Sequence, residues 1–525
     1  MHFEPGQTVG VDLGTTFSTV AQLNQEGEPV ALPNEDDEVE TASMLLLTEK
    51  GHVIVGPNRS RAAMEDPERV VQWIKRCMGA TDYSRVFDGH AITPEFLSAL
   101  ILKKLRQDAE RHLKASVTNA VITVPYYFND QRRKATEDAG RIAGFNVIDI
   151  INEPTAATLT YAWHRGELGA SAKFDKPHRA MIYDLGGGTF DVTVVEYTPT
   201  HFRVLATDGD VELGGVDWNN RLVDYVSDQF KERFGEDPRE SAQTVQILHN
   251  DCDTAKIDLS SKFETKITCR HNGKAITVAI TRDLFEQLTA DLLERTATTL
   301  ELVIEQAKIT FNDLDAIVLV GGSTLMPSVR RTIRTITGRE PYTELDPYTS
   351  VAKGAAIHAA ILEVQNRHGG SELAEKVRRM LAAVKQENVN SHALGIVVKN
   401  RRTGDFINHV MIPKNTRLPA EARQTFVTNR HGQERVTVRV VQGDAPDPAA
   451  CAIVGECRIT DLPKDLPQGS PVEVIYSFDI SGRIRVRAID KTCSKEASTE
   501  IDRRGGLKDK DIDAFSHLAE DYRVG

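Results

Sequence analysis

Two copies of one short pattern constrain this chain more than anything else in it: Val9-Gly10-Val11-Asp12-Leu13-Gly14-Thr15-Thr16-Phe17 and Ile182-Tyr183-Asp184-Leu185-Gly186-Gly187-Gly188-Thr189-Phe190-Asp191. Each reads as a strand ending in an aspartate, a turn of glycine and threonine, and a second strand. Glycine tolerates φ > 0 and carries no Cβ, so such a tip lets backbone N–H groups crowd a phosphate chain. The hydroxyls of Thr15, Thr16 and Thr189 add donors. Asp12 and Asp184 offer hard oxygens to a hydrated Mg²⁺, an ion that keeps most of its waters. A single copy is equally an ordinary glycine turn; two copies facing each other make a clamp.

A third signal follows at Ile317-Val318-Leu319-Val320-Gly321-Gly322-Ser323-Thr324, a buried apolar strand running into a double glycine before a helix from Pro327 to Thr337. Three glycine signals in this order resemble the actin-like ATPase superfamily, in which two similar lobes close on a nucleotide.

At 525 residues the chain is too long for one core, so three or four structural units are expected. Its net charge of −12 argues against a basic nucleic-acid-binding surface. No apolar run reaches the ~18 residues of a membrane span, and Met1 to Thr8 lacks the regions of a signal peptide, so a cytoplasmic protein is expected. Six cysteines without a C-x-x-C pair indicate neither a disulfide framework nor a zinc site.

From Val9 to about Leu362 strands and helices alternate, which reads as α/β. Helices are expected at Pro94 to Ala115, Gln131 to Ala143, Asp217 to Phe234, Ser241 to Leu259 and Asp283 to Ile309, and strands at Ala120 to Val124, Val147 to Ile151 and Ala180 to Asp184. Beyond Leu394 the period falls to two, in Gln424–Thr428, Arg435–Val441, Val472–Phe478 and Arg483–Ala488, with turns such as Ile480-Ser481-Gly482, as in an antiparallel sandwich. The implied units are an ATPase portion over 1–365, a connector over 366–390, a β-sandwich over 391–502 and a short charged tail over 503–525.

Between the hairpins run Ala120-Val121-Ile122-Thr123-Val124-Pro125-Tyr126-Tyr127-Phe128-Asn129-Asp130 and Ile150-Ile151-Asn152-Glu153-Pro154-Thr155-Ala156-Ala157. With Leu213-Gly214-Gly215-Val216-Asp217 and Ala255-Lys256-Ile257-Asp258-Leu259-Ser260-Ser261, they closely resemble the seventy-kilodalton heat-shock chaperones, the DnaK family. The resemblance implies ATP hydrolysis with Mg²⁺ held by Asp12 and Asp184 through water. It implies that Lys75 orients the attacking water, with Glu153 and Asp191 as carboxylates for water and metal, Asp191 as proton acceptor, and Thr189 as a further catalytic donor. Gly14, Thr15, Thr16, Gly186, Gly187, Gly188 and Thr189 would hold the phosphates; Asp253, Lys256, Ser260, Gly321, Gly322 and Ser323 would hold adenosine. Pro125 and Arg133 match positions that relay nucleotide state between domains.

Four departures from the family stand out. Leu325 occupies the place of an arginine beside the adenine, and Asp149 that of a basic residue presented to a J-domain cochaperone. Val384-Lys385-Gln386-Glu387-Asn388-Val389-Asn390-Ser391 replaces an apolar linker and is expected to be too polar to dock. The segment after Ile501 is expected to be too short for a helical lid. The leading reading is an ATP-dependent chaperone that binds unfolded or extended apolar polypeptides, with a J-domain cochaperone and an exchange factor as partners. Ile407, Phe426 and Val436 are candidates to line the peptide pocket, each also readable as sandwich core, and Asn429 makes the groove more polar. The departures keep a second reading open, a regulatory module with one dedicated partner; a small-molecule kinase is disfavoured by the sandwich.

Overall fold

The computed structural model describes residues 2–48, 51–56, 67–80, 82–83, 85–169, 172, 174–366, 373–400, 402–478, 484–501 and 506–525. The repeated hairpin builds two α/β lobes on one plan. In lobe I the strand order is Asn146–Asn152, Val117–Val124, Gln7–Asp12, Phe17–Leu23, Pro29–Leu32; in lobe II it is Ala316–Val320, His178–Leu185, Phe190–Thr198, His201–Asp210. In both, the first hairpin strand pairs antiparallel with the second and parallel with a strand from later in the chain. Strands with both faces covered read as continuous apolar runs, and helices supply the cover. Pro94–Leu113, started by Pro at its first position and by Thr93 accepting from Phe96 N, lies on lobe I. Gly215–Phe234, Ala242–Ser261 and Ala290–Ala307 enclose the core of lobe II. Helix Ser350–Asn366 runs so close to lobe I and to helix Glu153–His164 that a Cβ on Gly10 would meet Ala356 N and one on Gly354 the backbone of Ala156.

The single helix expected over Asp283 to Ile309 is two, Arg282–Leu288 and Ala290–Ala307. Thr289 divides them, its hydroxyl donating to Phe285 O at 2.8 Å, a local bond that competes with helix continuation.

The linker docks, against the sequence expectation. Lys385–Glu387 adds a parallel edge strand to His201–Asp210, and Lys385 N donates to Thr200 O at 2.8 Å. Main-chain pairing needs no apolar side chain. Val384 and Val389 supply buried anchors on either side, and the polar side chains between them find partners: Gln386 Nε2 lies 2.8 Å from His358 Nδ1, and Glu387 pairs with Arg417 and with His201. Asp149 is engaged near the same place, its carboxylate 2.8 Å from His358 Nε2.

The sandwich consists of the sheets Phe406–Ile412, Leu394–Lys399, Val436–Gln442, Ala452–Ile459 and Ala420–Val427, Pro471–Phe478, Ile484–Asp490, Glu496–Ile501. Their inner faces form one core, crossed by Tyr476 donating to Gly395 O at 3.0 Å. The turn at 480–482 lies outside the described residues. The sandwich rests on the lobes through Lys414 Nζ, 2.8 Å from Asp208, and Asn415, which accepts from Thr207 N at 3.1 Å and donates to Gln306 at 2.7 Å. The charged terminal segment forms one short helix, Asp509–Asp521, and it packs on lobe I. Ile512, Ala519 and Tyr522 are buried there, Lys103 Nζ caps the carbonyls of Ala519 and Tyr522, and Arg523–Val524 pairs with His52–Val55.

Candidate active site

Where the lobes meet, an open cleft is lined by Asp12, Gly14, Thr15, Thr16, Lys75, Glu153, Asp184, Gly186, Gly187, Gly188 and Thr189 on one side of its length and Asp253, Lys256, Ser260, Gly321, Gly322 and Ser323 on the other. The two hairpin tips face each other in van der Waals contact: a Cβ on Gly187 would collide with Thr16, and one on Gly188 with Thr15. The second tip is pinned from behind. Gly186 O accepts from Ser323 Oγ and Gly215 N, both at 2.9 Å, and Gly188 O accepts from Arg76 at 2.8 and 3.0 Å while Arg76 also pairs with Asp217 at 2.5 Å.

Lys75 sits on the one-turn helix Ile74–Cys77, and its Nζ lies 2.6 Å from Glu153 Oε1, at the start of helix Glu153–His164. Both side chains are buried. Asp12 accepts from Thr123 Oγ1 at 2.8 Å, and Asp191 from the main-chain N–H of Tyr126 at 3.1 Å and Tyr127 at 3.3 Å. Burial pushes Glu153 up to about 7 although Lys75 opposes it, and pushes Asp191 up to about 7 against those two backbone bonds. It raises Asp12, and with the neighbouring Glu153, Asp191 and Asp12 it raises Asp184 well above the carboxylate range. Burial alone would lower Lys75, but Glu153, Asp12 and Asp184 outweigh it and hold the ammonium above the usual lysine range. Four carboxylates thus surround one ammonium, an excess that a divalent cation would relieve. Among the described residues no cluster of three or more His, Cys, Asp or Glu could hold a metal directly.

On the far side of the cleft Lys256 Nζ lies 3.1 Å from Asp253 Oδ1 and donates to Gly215 O at 3.2 Å, while Asn219 Nδ2 donates to Asp253 at 2.9 Å. The spacing of Asp253, Lys256 and Ser260 brings all three to one helix face, as their positions in the sequence suggest. Leu325 and Ile257, both largely exposed, and Tyr348 complete this wall. Neither Ile257 nor Tyr348 is singled out by the sequence; the only clue is Gly322, whose missing Cβ leaves room for the Tyr348 ring.

A family model described as Hsp70 protein matches residues 8–524. The chain belongs to the Hsp70 family. It is similar to the chaperone protein DnaK of Thermotoga neapolitana, 39% identical over 522 residues that cover 98% of this chain and 83% of that one. The DnaK of Thermotoga maritima gives the same figures, and that of Thermosipho melanesiensis is 38% identical over 521 residues with the same coverage. This Hsp70 is an ATP-hydrolysing chaperone of the DnaK type. No helix among the described residues is long and apolar enough to cross a membrane.

Outside the cleft of this Hsp70, Pro125 and Arg133 flank a connection that the sequence shows only in part. Arg133 bonds Phe128 O at 3.2 Å, Tyr126 O at 3.3 Å and the side chain of Asn152, next to Glu153. Tyr126, fully buried, holds Asp191 with its N–H while its hydroxyl donates to Val389 O at 2.8 Å and accepts from Val389 N at 3.0 Å. His392 Nε2 lies 2.9 Å from Tyr127 O, with the two rings 4.4 Å apart. The site carboxylate and the linker thus share one tyrosine. Of the expected peptide-pocket residues, Phe426 and Val436 pack partly buried against the sandwich core, with Phe426 edge-on to His409 at 5.4 Å; Ile407, half-buried, pairs with Val398. Asn429 is exposed.

Proposed function

We propose that the cleft binds ATP with Mg²⁺ between the two hairpin tips, and that turnover is transmitted to the sandwich through Tyr126 and the docked linker. Asp12 and Asp184 would hold the hydrated ion, whose charge offsets the phosphates and the carboxylates around them. Gly14, Thr15, Thr16 and Gly186 to Thr189 bind the phosphates. Lys75, kept charged by its carboxylate neighbours, orients water at the γ-phosphate; Asp191 accepts its proton, with Glu153 fixing Lys75. Phosphoryl transfer asks for positioning and charge neutralisation, which such a set supplies. Asp253, Lys256 and Ser260 face the ribose, and Gly321 to Ser323 the base. Ile257 and Leu325 offer the adenine an aliphatic surface where an arginine would have stacked.

The division of labour we infer is nucleotide chemistry in residues 1–365, docking in 366–390 and extended apolar peptide in the sandwich of 391–502, with main-chain bonding and an apolar pocket at Ile407, Phe426 and Val436. The observation that carries the reading is the pair of facing glycine tips above a buried Lys75–Glu153 pair with surplus carboxylate. Single-turnover hydrolysis tests it: Lys75→Ala should still bind ATP yet hydrolyse it on the order of 10²-fold more slowly. Turnover near the parent rate would remove Lys75 from the mechanism.

A further inference from the structure

The two lobes also touch at a point outside the lining of the cleft. Trp73 adopts φ 56° and ψ 27°, a left-handed conformation that costs a bulky residue energy and persists only where surroundings enforce it. The next residue begins the turn that carries Lys75. The indole of Trp73 meets the imidazole of His249 edge-on, with centroids 5.3 Å apart and planes at 64°. His249 belongs to helix Ala242–Ser261 of lobe II, the same helix that presents Asp253, Lys256 and Ser260 to the cleft.

Behind the two rings lies a small hollow that reaches Thr15 and Thr16. Within it Asn219 Oδ1, His249 Nδ1 and Asn250 Nδ2 are buried without a hydrogen-bond partner. Ring contact, and no polar bond of His249, therefore joins the lobes here, and the two rings can part without breaking a hydrogen bond between them. On the other side of Lys75, Arg76 reaches lobe II through Gly188 O and Asp217. Lys75 is bracketed: each neighbouring anchor belongs to lobe I and grips lobe II.

We propose that Trp73 and His249 form an interlobe clasp, which closes as the lobes close, slows the escape of bound nucleotide and, through the strained Trp73–Lys75 segment, sets the position of Lys75. Both are positioning residues. The hydrolysis half of the proposal rests on the role given to Lys75 above; the release half does not.

The test uses the full chain with Trp73→Ala, His249→Ala, the double variant and the ring-keeping His249→Phe and Trp73→Phe. A fluorescent ADP analogue reports release in stopped flow, and single-turnover hydrolysis reports Lys75. Each alanine variant should speed release and slow hydrolysis by about 2- to 12-fold, the span of a single aromatic pair. The double variant should be no worse than either single one, and the phenylalanine variants should stay near the parent. Unchanged release in both alanine variants, effects that multiply in the double variant, or phenylalanine variants as impaired as alanine would each overturn the clasp. If Lys75→Ala hydrolyses normally, the site reading fails, while the release measurements still decide on the clasp.

Discussion

Tyr126→Phe isolates the connection between the site and the linker. The ring, fully buried, keeps its place and its volume, and the main-chain N–H that holds Asp191 is untouched. What disappears is one hydroxyl that serves both Val389 O at 2.8 Å and Val389 N at 3.0 Å. Each buried backbone group left without a partner costs about 1–3 kcal/mol, and water satisfies both once the linker leaves the lobes. Docking should therefore weaken by roughly 2–6 kcal/mol, which at about 1.4 kcal/mol per factor of ten shifts the docked-to-free ratio about 30- to 20,000-fold. Hydrogen exchange of residues 384–390 in the presence of ATP measures this ratio. The variant should lose most of the protection there while the strand His178–Leu185 keeps its own. Parent-like protection of the linker would show that the hydroxyl is not what holds it, and the route from Asp191 to the sandwich would have to be abandoned.

Asp191→Asn retains an acceptor for Tyr126 N but removes a carboxylate whose proton affinity burial has raised, so turnover should fall on the order of 10²-fold or more in single-turnover assays. Because Asp191 and Glu153 hold protons in the folded chain up to about 7 and release them in the unfolded chain near the ordinary value, their contribution to stability is lost as pH rises from about 4 to 7. Thermal unfolding of the nucleotide-free protein should show Asp191→Asn more stable than the parent at pH 8 and the difference shrinking toward pH 4; the opposite trend would contradict the raised values. Gly188→Ala drives a Cβ into Thr15 and should hold the tips apart, weakening ATP binding by calorimetry far more than Gly89→Ala, where no atom lies within 4 Å. Asp184→Ala should weaken nucleotide binding with Mg²⁺ more than binding in EDTA, since the carboxylate acts through the ion; equal losses would count against a metal role.

What could be read from the sequence is what depends on neighbours in the chain. A strand, an aspartate and a glycine–threonine tip are local, so both hairpins and the cleft residues around them were legible, as was the face shared by Asp253, Lys256 and Ser260. Contacts between distant segments were not. Tyr126 and Val389 meet across half of the chain, and nothing in either neighbourhood announces the other. The linker misled because apolar content was taken as the requirement for docking, whereas edge-strand pairing uses the main chain and Gln386 and Glu387 have polar partners waiting in His358 and Arg417. Trp73 and His249 reveal their interest only through a left-handed backbone and a neighbour on the other lobe. The terminal segment was legible only as a short charged tail, and the apolar positions Ile512 and Ala519 of its helix do not say which surface they cover.

The central claim is that nucleotide state in the cleft governs peptide affinity in the sandwich through the docked linker. The affinity of the full chain for a labelled extended apolar peptide, compared between ATP and ADP with Lys75→Ala holding the ATP intact, tests it most directly. Peptide should bind about 5- to 150-fold more weakly with ATP than with ADP, the usual range of coupling between two sites, and leave correspondingly faster. Equal affinity and equal release in the two states would contradict the account.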